Sequence, residues 1–381
     1  FSLIKKKSRT NTIGKISAFN FDRSKRINPS YKGNKYKAGV SVKADYDVIP
    51  LNYGRNQHPH TTSLVQSDSR PKKATAKHNI TSSKPYIAIG KIYSITKGIA
   101  TECTGTMIGK AVVVTSAECI AEFGGAVADT VWFTPAATSN LELGAGPLGM
   151  WKAKKLYIPA CLTAGDCRTN KGGIYRENNI ALFSLKKKNG RTPFDMGGTY
   201  LNYGWNDPGF FISPYFAEAR TIAHISQITT LGYPSGIGDK SGNTGGAMIK
   251  TDSFVQKLWS RGSNGNVVDV YMWGSGQPGA SGSPAIVNFG FKPFYSNSSY
   301  KGKFTTPNIV VGIQFSSKTK IAQNLHVALG SIFGQNISYP KNYYLDKSGR
   351  NWGAGNIGFL MRKVCGQGYD KGQSKGICLK R

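Results

Sequence analysis

The chain has 381 residues, and its 50 Lys and Arg against 19 Asp and Glu give a formal net charge of +31 at pH 7. A hydrophobic content of 39% is enough for one or two globular domains with a buried core, which excludes a largely disordered chain. No apolar run approaches the roughly 18 residues that span a bilayer, so we predict no transmembrane segment. The charge predicts partners rather than a fold: an acidic protein, polysaccharide, lipid or nucleic-acid surface.

Residues 1–84 differ from the rest and are predicted to form a basic N-terminal arm or pro-region. This segment contains 18 Lys and Arg against four Asp and lacks sustained apolar periodicity. We expect the attraction to acidic partners to act through this arm.

From about Pro85 the sequence becomes a series of short β-like runs separated by Gly, Asn, Ser and Pro. Regular spacing of such runs predicts an all-β sandwich or barrel and not alternating βα units. After about Asp346 the chain is Gly-rich and basic, and it ends in a small loop between two cysteines.

The six cysteines fall into three pairs of close neighbours and lack the CxxC spacing of a zinc site. An even number with close partners predicts three disulfides and an oxidising compartment. The predicted location is therefore secreted or extracellular, with periplasmic or particle-associated locations as variants of it. The predicted pairs are Cys103–Cys119, Cys161–Cys167 and Cys365–Cys378.

Three separated segments carry a resemblance to a known family: CTGTMIGKAVVVTSAEC (residues 103–119), NNIALFSL (178–185) and GQPGASGSPAIV (276–287). In this order they resemble the motifs of trypsin-like (chymotrypsin-fold) serine peptidases, with the bacterial and fungal glutamyl-endopeptidase branch the most similar. The resemblance implies two packed antiparallel β-barrels of the chymotrypsin type, over residues 85–200 and 201–345. Residues 346–381 then form a basic Gly-rich C-terminal tail with a Cys loop.

The resemblance also assigns site residues. Ser281 stands at the nucleophile position, and the amides of Gly279 and Ser281 stand at the oxyanion-hole positions. Gln314 stands where glutamyl endopeptidases place a pocket histidine, so specificity for acidic residues is not predicted. No cofactor and no metal site is predicted.

The two residues that should activate the serine depart from the family pattern. Glu118 occupies the histidine position and Asn179 the aspartate position. A carboxylate with an ordinary pKa near 4.3 is a poor base for a serine hydroxyl. None of the five histidines lies in a motif that would hold it against the serine: His58, His60, His78, His224 and His326.

Three functions stay open at this point. The first is a catalytically inactive serine-peptidase homologue that acts as a binding or structural scaffold on an acidic surface or assembly. The second is an active secreted endopeptidase with the altered triad Ser281, Glu118 and Asn179. The third is a packing protein associated with nucleic acid or another polyanion, although no recognition motif supports it.

Overall fold

The arrangement of the strands was obtained from a computed structural model. It describes residues 60–65, 84–138, 146–159, 162–163, 179–203, 227–234, 248–261, 267–273, 279–287, 289–290, 307–320, 325–333, 356–366 and 378. Within these residues the chain forms fourteen strands and one ten-residue α-helix. None of the described helices has the length and apolar character needed to cross a membrane.

Six strands close the first barrel in the order β2-β3-β4-β7-β6-β5. Its core is lined by aliphatic and aromatic side chains from all around the ring, among them the fully buried Ile92, Val113, Phe133 and Trp151. The strands are β2 (Ile89–Thr96), β3 (Ile99–Gly109), β4 (Val112–Thr115), β5 (Thr130–Pro135), β6 (Trp151–Tyr157) and β7 (Ala181–Leu185).

Eight further strands form a second sheet, and six of them pair in a ring of their own. The ring runs β9-β10-β11-β14-β13-β12 and returns to β9, each pair being antiparallel. The ring strands are β9 (Gln227–Gly232), β10 (Met248–Arg261), β11 (Val267–Trp273), β12 (Pro284–Val287), β13 (Ile309–Lys320) and β14 (Leu325–Ile332). The other two are β1 (His60–Val65), which pairs with β10, and β8 (Asn202–Tyr203), which pairs with β13.

Both rings share one connection order. If the six strands of each ring are numbered along the chain, their order around the ring is 1-2-3-6-5-4 in both cases. The chain therefore repeats one barrel topology twice, although the sequence shows no repeat. The predicted all-β fold with two antiparallel barrels is confirmed.

The segments predicted as arm and tail both contribute regular structure. Strand β1 lies within the predicted arm, and its backbone is in register with β10 from His60 opposite Ser253 to Val65 opposite Met248. The helix α1 (Asn356–Cys365) lies within the predicted tail and contacts β6 and β7 of the first barrel. The rest of residues 1–83 lies outside the described residues, and the predicted domain boundaries stay predictions.

The helix packs on the barrel through one apolar stripe. Ile357, Leu360, Met361 and Val364 are fully buried, while Lys363 is exposed. Their spacing of three and four residues places the buried side chains on one helical face. The last turn is tied by the disulfide between Cys365 and Cys378, as predicted.

Candidate active site

The loop that precedes β12 has a backbone that requires glycine at two places. Gly279 and Gly282 have φ values of +85° and +88°, in the left-handed region that L side chains rarely adopt. At Gly282 a Cβ atom would also overlap the Thr104 carbonyl oxygen and the Thr115 hydroxyl oxygen. The loop from Gly279 to Ser283 therefore lies directly against the first barrel.

Thr104, on β3 of the first barrel, holds this loop in place. Its N–H donates to the Ser281 carbonyl oxygen at 2.8 Å, and its hydroxyl donates to the Gly279 carbonyl oxygen at 2.9 Å. The hydroxyl oxygen in turn accepts a hydrogen bond from the Tyr233 N–H at 2.9 Å. Thr104 is fully buried, and one residue thus connects both barrels to the serine loop.

The Ser281 hydroxyl has two acceptors within reach. It lies 2.8 Å from Glu118 Oε1 and 3.2 Å from the Phe315 carbonyl oxygen. A hydroxyl has a single proton to donate, and both neighbours only accept when Glu118 is ionised. Ser281 therefore acts as a hydrogen-bond donor to the carboxylate in this arrangement.

Glu118 is positioned by a short turn between β4 and the disulfide. It lies in a single 3-10 turn over Ala117–Cys119, and Cys119 is bonded to Cys103 on β3, as predicted. The Ser116 hydroxyl is 3.1 Å from the Cys119 sulfur and is the donor there, because a disulfide sulfur has no proton. The bridge thus fixes the residue next to Glu118. Cys161 and Cys167, the remaining predicted pair, lie outside the described residues.

Asn179 is fully buried just before β7 and contacts Glu118 twice. Its Oδ1 accepts from the Glu118 backbone N–H at 3.1 Å, and its Nδ2 donates to Glu118 Oε2 at 3.1 Å. The three predicted site residues therefore form one chain of hydrogen bonds, from the Asn179 amide through the Glu118 carboxylate to the Ser281 hydroxyl. Their functional roles stay predictions.

The carbonyl oxygens of Gly279, Ala280 and Ser281 all accept hydrogen bonds from the protein. The Gly279 and Ser281 oxygens accept from Thr104, and the Ala280 oxygen accepts from the Ser283 N–H at 3.0 Å. Within the described part of the chain, the Gly279 and Ser281 amides donate to no backbone carbonyl. This pattern is compatible with two amides directed at an oxyanion, as the resemblance implies.

Gln314 lies on β13 immediately beside the serine loop. Its N–H donates to the Ser283 carbonyl oxygen at 2.8 Å, and its carbonyl oxygen accepts from the Gly282 N–H at 2.7 Å. The residue is buried, with 2% of its surface exposed. Its backbone thus supports the loop, and its role in a specificity pocket stays a prediction.

The histidines are placed only in part. His60 and His326 lie on β1 and β14, where they are in register with Ser253 and Thr319 respectively. The other three fall outside the described residues. The structure therefore gives Ser281 a carboxylate neighbour, and the described contacts of its hydroxyl include no imidazole.

One residue of the site was missed from the sequence: Thr104. It follows Cys103 in the first motif and carries a hydroxyl in the buried part of β3, as Thr106 also does, so no sequence signal distinguishes it. A buried polar side chain needs a partner, so a threonine in a core strand indicates a structural hydrogen bond. The sequence could not show that this partner lies in the other barrel.

No family model matches the chain, and no curated protein is significantly similar to it. Among solved structures it is similar to a thermostable serine protease, AL20, from an extremophilic microorganism, with 18% identity, a TM-score of 0.44, and coverage of 65% of this chain and 92% of that one. The protease Anisep from Arthrobacter nicotinovorans is similar at 20% identity and a TM-score of 0.42, with 65% and 90% coverage. A Glu endopeptidase is similar at 13% identity and a TM-score of 0.43, with 66% and 88% coverage. Likenesses this distant concern the fold and carry nothing about activity.

Proposed function

We propose that this chain is a catalytically inactive homologue of the serine peptidases, and that its two barrels serve as a rigid binding scaffold. One observation carries the proposal: the Ser281 hydroxyl donates to a carboxylate that is itself held by the buried amide of Asn179. By the resemblance, Ser281, Glu118 and Asn179 stand at the positions of a triad. Glu118 and Asn179 replace the histidine that would transfer the proton and the aspartate that would orient it.

The chemistry of amide cleavage explains why this difference matters. The base must take the proton from serine and then give it to the leaving amine, which an imidazole with an ordinary pKa near 6.5 does well. The Glu118 carboxylate accepts hydrogen bonds from Ser281 and from Asn179. A carboxylate is by its nature a much weaker base than an imidazole and leaves little acid to protonate the amine. Loss of the base leaves only about 10³- to 10⁴-fold catalysis over water.

The two replacements complement each other. In the family pattern a histidine ring donates to an aspartate, whereas here Asn179 donates to Glu118. The same two positions are joined by a hydrogen bond, but the donor is now residue 179 and the acceptor is residue 118. The backbone N–H of residue 118 still has an acceptor in Asn179 Oδ1. This pairing supports a structural role for the network, since Ser281, Glu118 and Asn179 are joined by hydrogen bonds without an imidazole.

A working peptidase with an altered triad is the second candidate, and the 2.8 Å contact between Ser281 Oγ and Glu118 Oε1 is the observation that favours it. The geometry for proton transfer is present, since a base must lie within about 3.2 Å of the proton it takes. What the carboxylate lacks is basicity, and that distinction can be measured.

Hydrolysis by the purified full chain separates these candidates. We expect no cleavage of casein or of a mixed peptide library above the background given by Ser281→Ala, at any pH from about 5 to 9. The pH range matters because a carboxylate base would give a rate that rises from acid pH and then stays level. Cleavage by the unmodified chain that disappears in Ser281→Ala would establish the altered-triad enzyme instead.

The setting of the scaffold follows from its charge and its disulfides. The disulfides Cys103–Cys119 and Cys365–Cys378 favour an oxidising compartment outside the cell. A net charge of +31 favours docking on an acidic surface, with the basic arm as one contributor. Packing of nucleic acid, the third function considered, is less compatible with that compartment.

A further inference from the structure

One side of the first barrel carries a concentration of positive charge that belongs to the folded body and not to the arm. We call it the basic ridge. Its members are Lys110, Lys152, Lys154, Lys155, Lys186, Lys187, Lys188 and Arg191. Five of the seven lysines are exposed, as is the arginine, and the other two are half-buried.

The strand pairing brings these residues together. Strands β6 and β7 are antiparallel neighbours, and the Lys186 N–H donates to the Lys152 carbonyl oxygen at 2.8 Å where β7 ends. A β-bulge between Ala153 and Lys155 interrupts the alternation of β6, and both Lys154 and Lys155 are exposed as a result. The following turn is closed by paired backbone hydrogen bonds between Lys188 and Arg191. The charges thus form a band along two strands and a turn.

Among the described residues of the same barrel, Glu102 and Glu122 are paired with lysines outside the ridge. Glu102 pairs with Lys91 at 2.8 Å, and Glu122 pairs with Lys97 at 2.8 Å. Both pairs involve β2 or the turn that follows it and leave the ridge untouched. Neither of these two carboxylates therefore offsets the positive charge of the ridge.

Asp195 is the acidic residue beside the ridge among the described positions. Its carboxylate accepts from the Thr192 N–H at 2.8 Å and from the Thr192 hydroxyl at 2.7 Å. These hydrogen bonds hold the pKa of Asp195 below its ordinary value, with smaller contributions from burial in the opposite direction and from the charges of Lys110 and Lys187. One anchored carboxylate does not neutralise eight cationic side chains.

Aromatic rings hold three of the ammonium groups in place. Lys188 Nζ lies 4.5 Å from the centre of the Trp151 ring, Lys110 Nζ lies 5.2 Å from Phe194, and Lys152 Nζ lies 5.8 Å from Trp132. The quadrupole of an aromatic ring attracts a cation placed over its face. These lysine side chains are therefore already partly ordered, and binding an anion costs less conformational entropy. The half-buried Trp132 ring also packs against Tyr93, with 5.9 Å between the ring centres, and adds aromatic surface next to the ridge.

We propose that the basic ridge binds a linear acidic polysaccharide, sulfated or carboxylated. This inference rests on the proposed function, since it names the acidic surface that the scaffold would meet. A band of spaced lysines matches a chain of regularly spaced anions better than it matches a single small anion. The described disulfides favour an extracellular polymer over a nucleic acid.

A bilayer fits the ridge less well than a polysaccharide does. Proteins that insert into the membrane interface place several large apolar side chains beside their basic residues. Among the described residues only Ile99 and Met196 are large exposed hydrophobics, and Met196 alone lies in the turn beside the ridge. Charge without an apolar wedge favours a soluble polymer.

The test measures binding of the full chain to a heparin fragment, as a sulfated probe, across a salt titration. The variant Lys154→Gln, Lys155→Gln, Lys187→Gln removes three ridge charges from exposed positions. The matched control Lys84→Gln, Lys97→Gln, Lys363→Gln removes three charges outside the ridge. We expect the ridge variant to lose on the order of 10²-fold in affinity at 0.15 M salt. The slope of log K against log salt concentration should become less negative by about two to three. The control should change affinity less than about threefold.

Two results would overturn the proposal. If the ridge variant binds within about threefold of the control, any docking acts through other residues such as those of the arm. If the full chain binds a single-stranded oligonucleotide or phosphatidylserine vesicles but not the heparin fragment, the partner class is wrong. Neither result bears on whether the chain hydrolyses peptides. If the full chain did show peptidase activity, heparin binding could still be measured in Ser281→Ala, so the two proposals can fail separately.

Discussion

Asn179→Asp is expected to destabilise the protein by at least about 4 kcal/mol at pH 7. The change replaces the donor that faces Glu118 Oε2 by a second carboxylate oxygen at 3.1 Å, in a fully buried position. Two unit charges about 4 Å apart repel by roughly 4 kcal/mol in surroundings of intermediate dielectric constant, and the lost hydrogen bond adds to this. Chemical denaturation at pH 7 measures the difference in the free energy of unfolding.

The same variant should respond to pH in one direction. Like-charge contact raises the affinity of the pair for a proton, so the folded state binds more protons than the unfolded state and the loss shrinks as the pH falls from 7 towards about 4. Adding Glu118→Gln to Asn179→Asp is the matched control, because the new amide can donate to the new carboxylate. We expect that double variant to recover most of the stability. Equal stability of Asn179→Asp and the unmodified chain at pH 7 would contradict this account of the network.

Gly282→Ala is expected to cost more than about 4 kcal/mol, enough to leave much of the chain unfolded. The φ value of +88° disfavours any Cβ, and this Cβ would overlap the carbonyl oxygen of Thr104 and the hydroxyl of Thr115, which are both buried. Neither is the end of a flexible chain, because both belong to adjacent strands of the closed first barrel. The measurement is the midpoint of urea unfolding, together with the soluble fraction on expression.

Gly290→Ala is the control that separates the cost of backbone strain from the cost of steric overlap at Gly282. Gly290 also has a positive φ, of +75°, but a Cβ there would meet open space. We expect this control to cost about 1 kcal/mol, the usual penalty of the left-handed conformation. If Gly282→Ala were as stable as Gly290→Ala, the close approach of the serine loop to the first barrel would be wrong.

Local sequence was sufficient to predict most strands of the first barrel. Strands β2 to β5 arise from runs rich in β-branched residues and bounded by turn residues, and three motifs identified Ser281, Glu118 and Asn179 as candidates. These three could be related only through a resemblance, because residues 118 and 281 meet across two barrels. The reversed hydrogen bond from Asn179 to Glu118 is a matter of side-chain geometry that no spacing reveals.

The termini were harder to predict because composition and pattern disagree there. Residues 346–381 are Gly-rich and basic, yet Ile357, Leu360, Met361 and Val364 recur at helical spacing and α1 is buried along that stripe. Strand β1 lies in a basic segment without neighbouring β-like runs that would indicate a strand. It pairs with β10, which becomes available for pairing only when the second ring has folded. Charge-rich composition indicates solvation on average, but a short apolar pattern inside it can still pack.

Labelling of Ser281 by a fluorophosphonate tests the central claim most directly. The reagent reacts with a serine only if a base activates it, so it reports the proton chemistry independently of any substrate pocket. The intact mass of the full chain should remain unchanged after hours of incubation at pH 7 to 8, under conditions that fully label an active trypsin-like protease. Stoichiometric addition of one adduct, absent in Ser281→Ala, would show an activated nucleophile and would contradict the inactive scaffold.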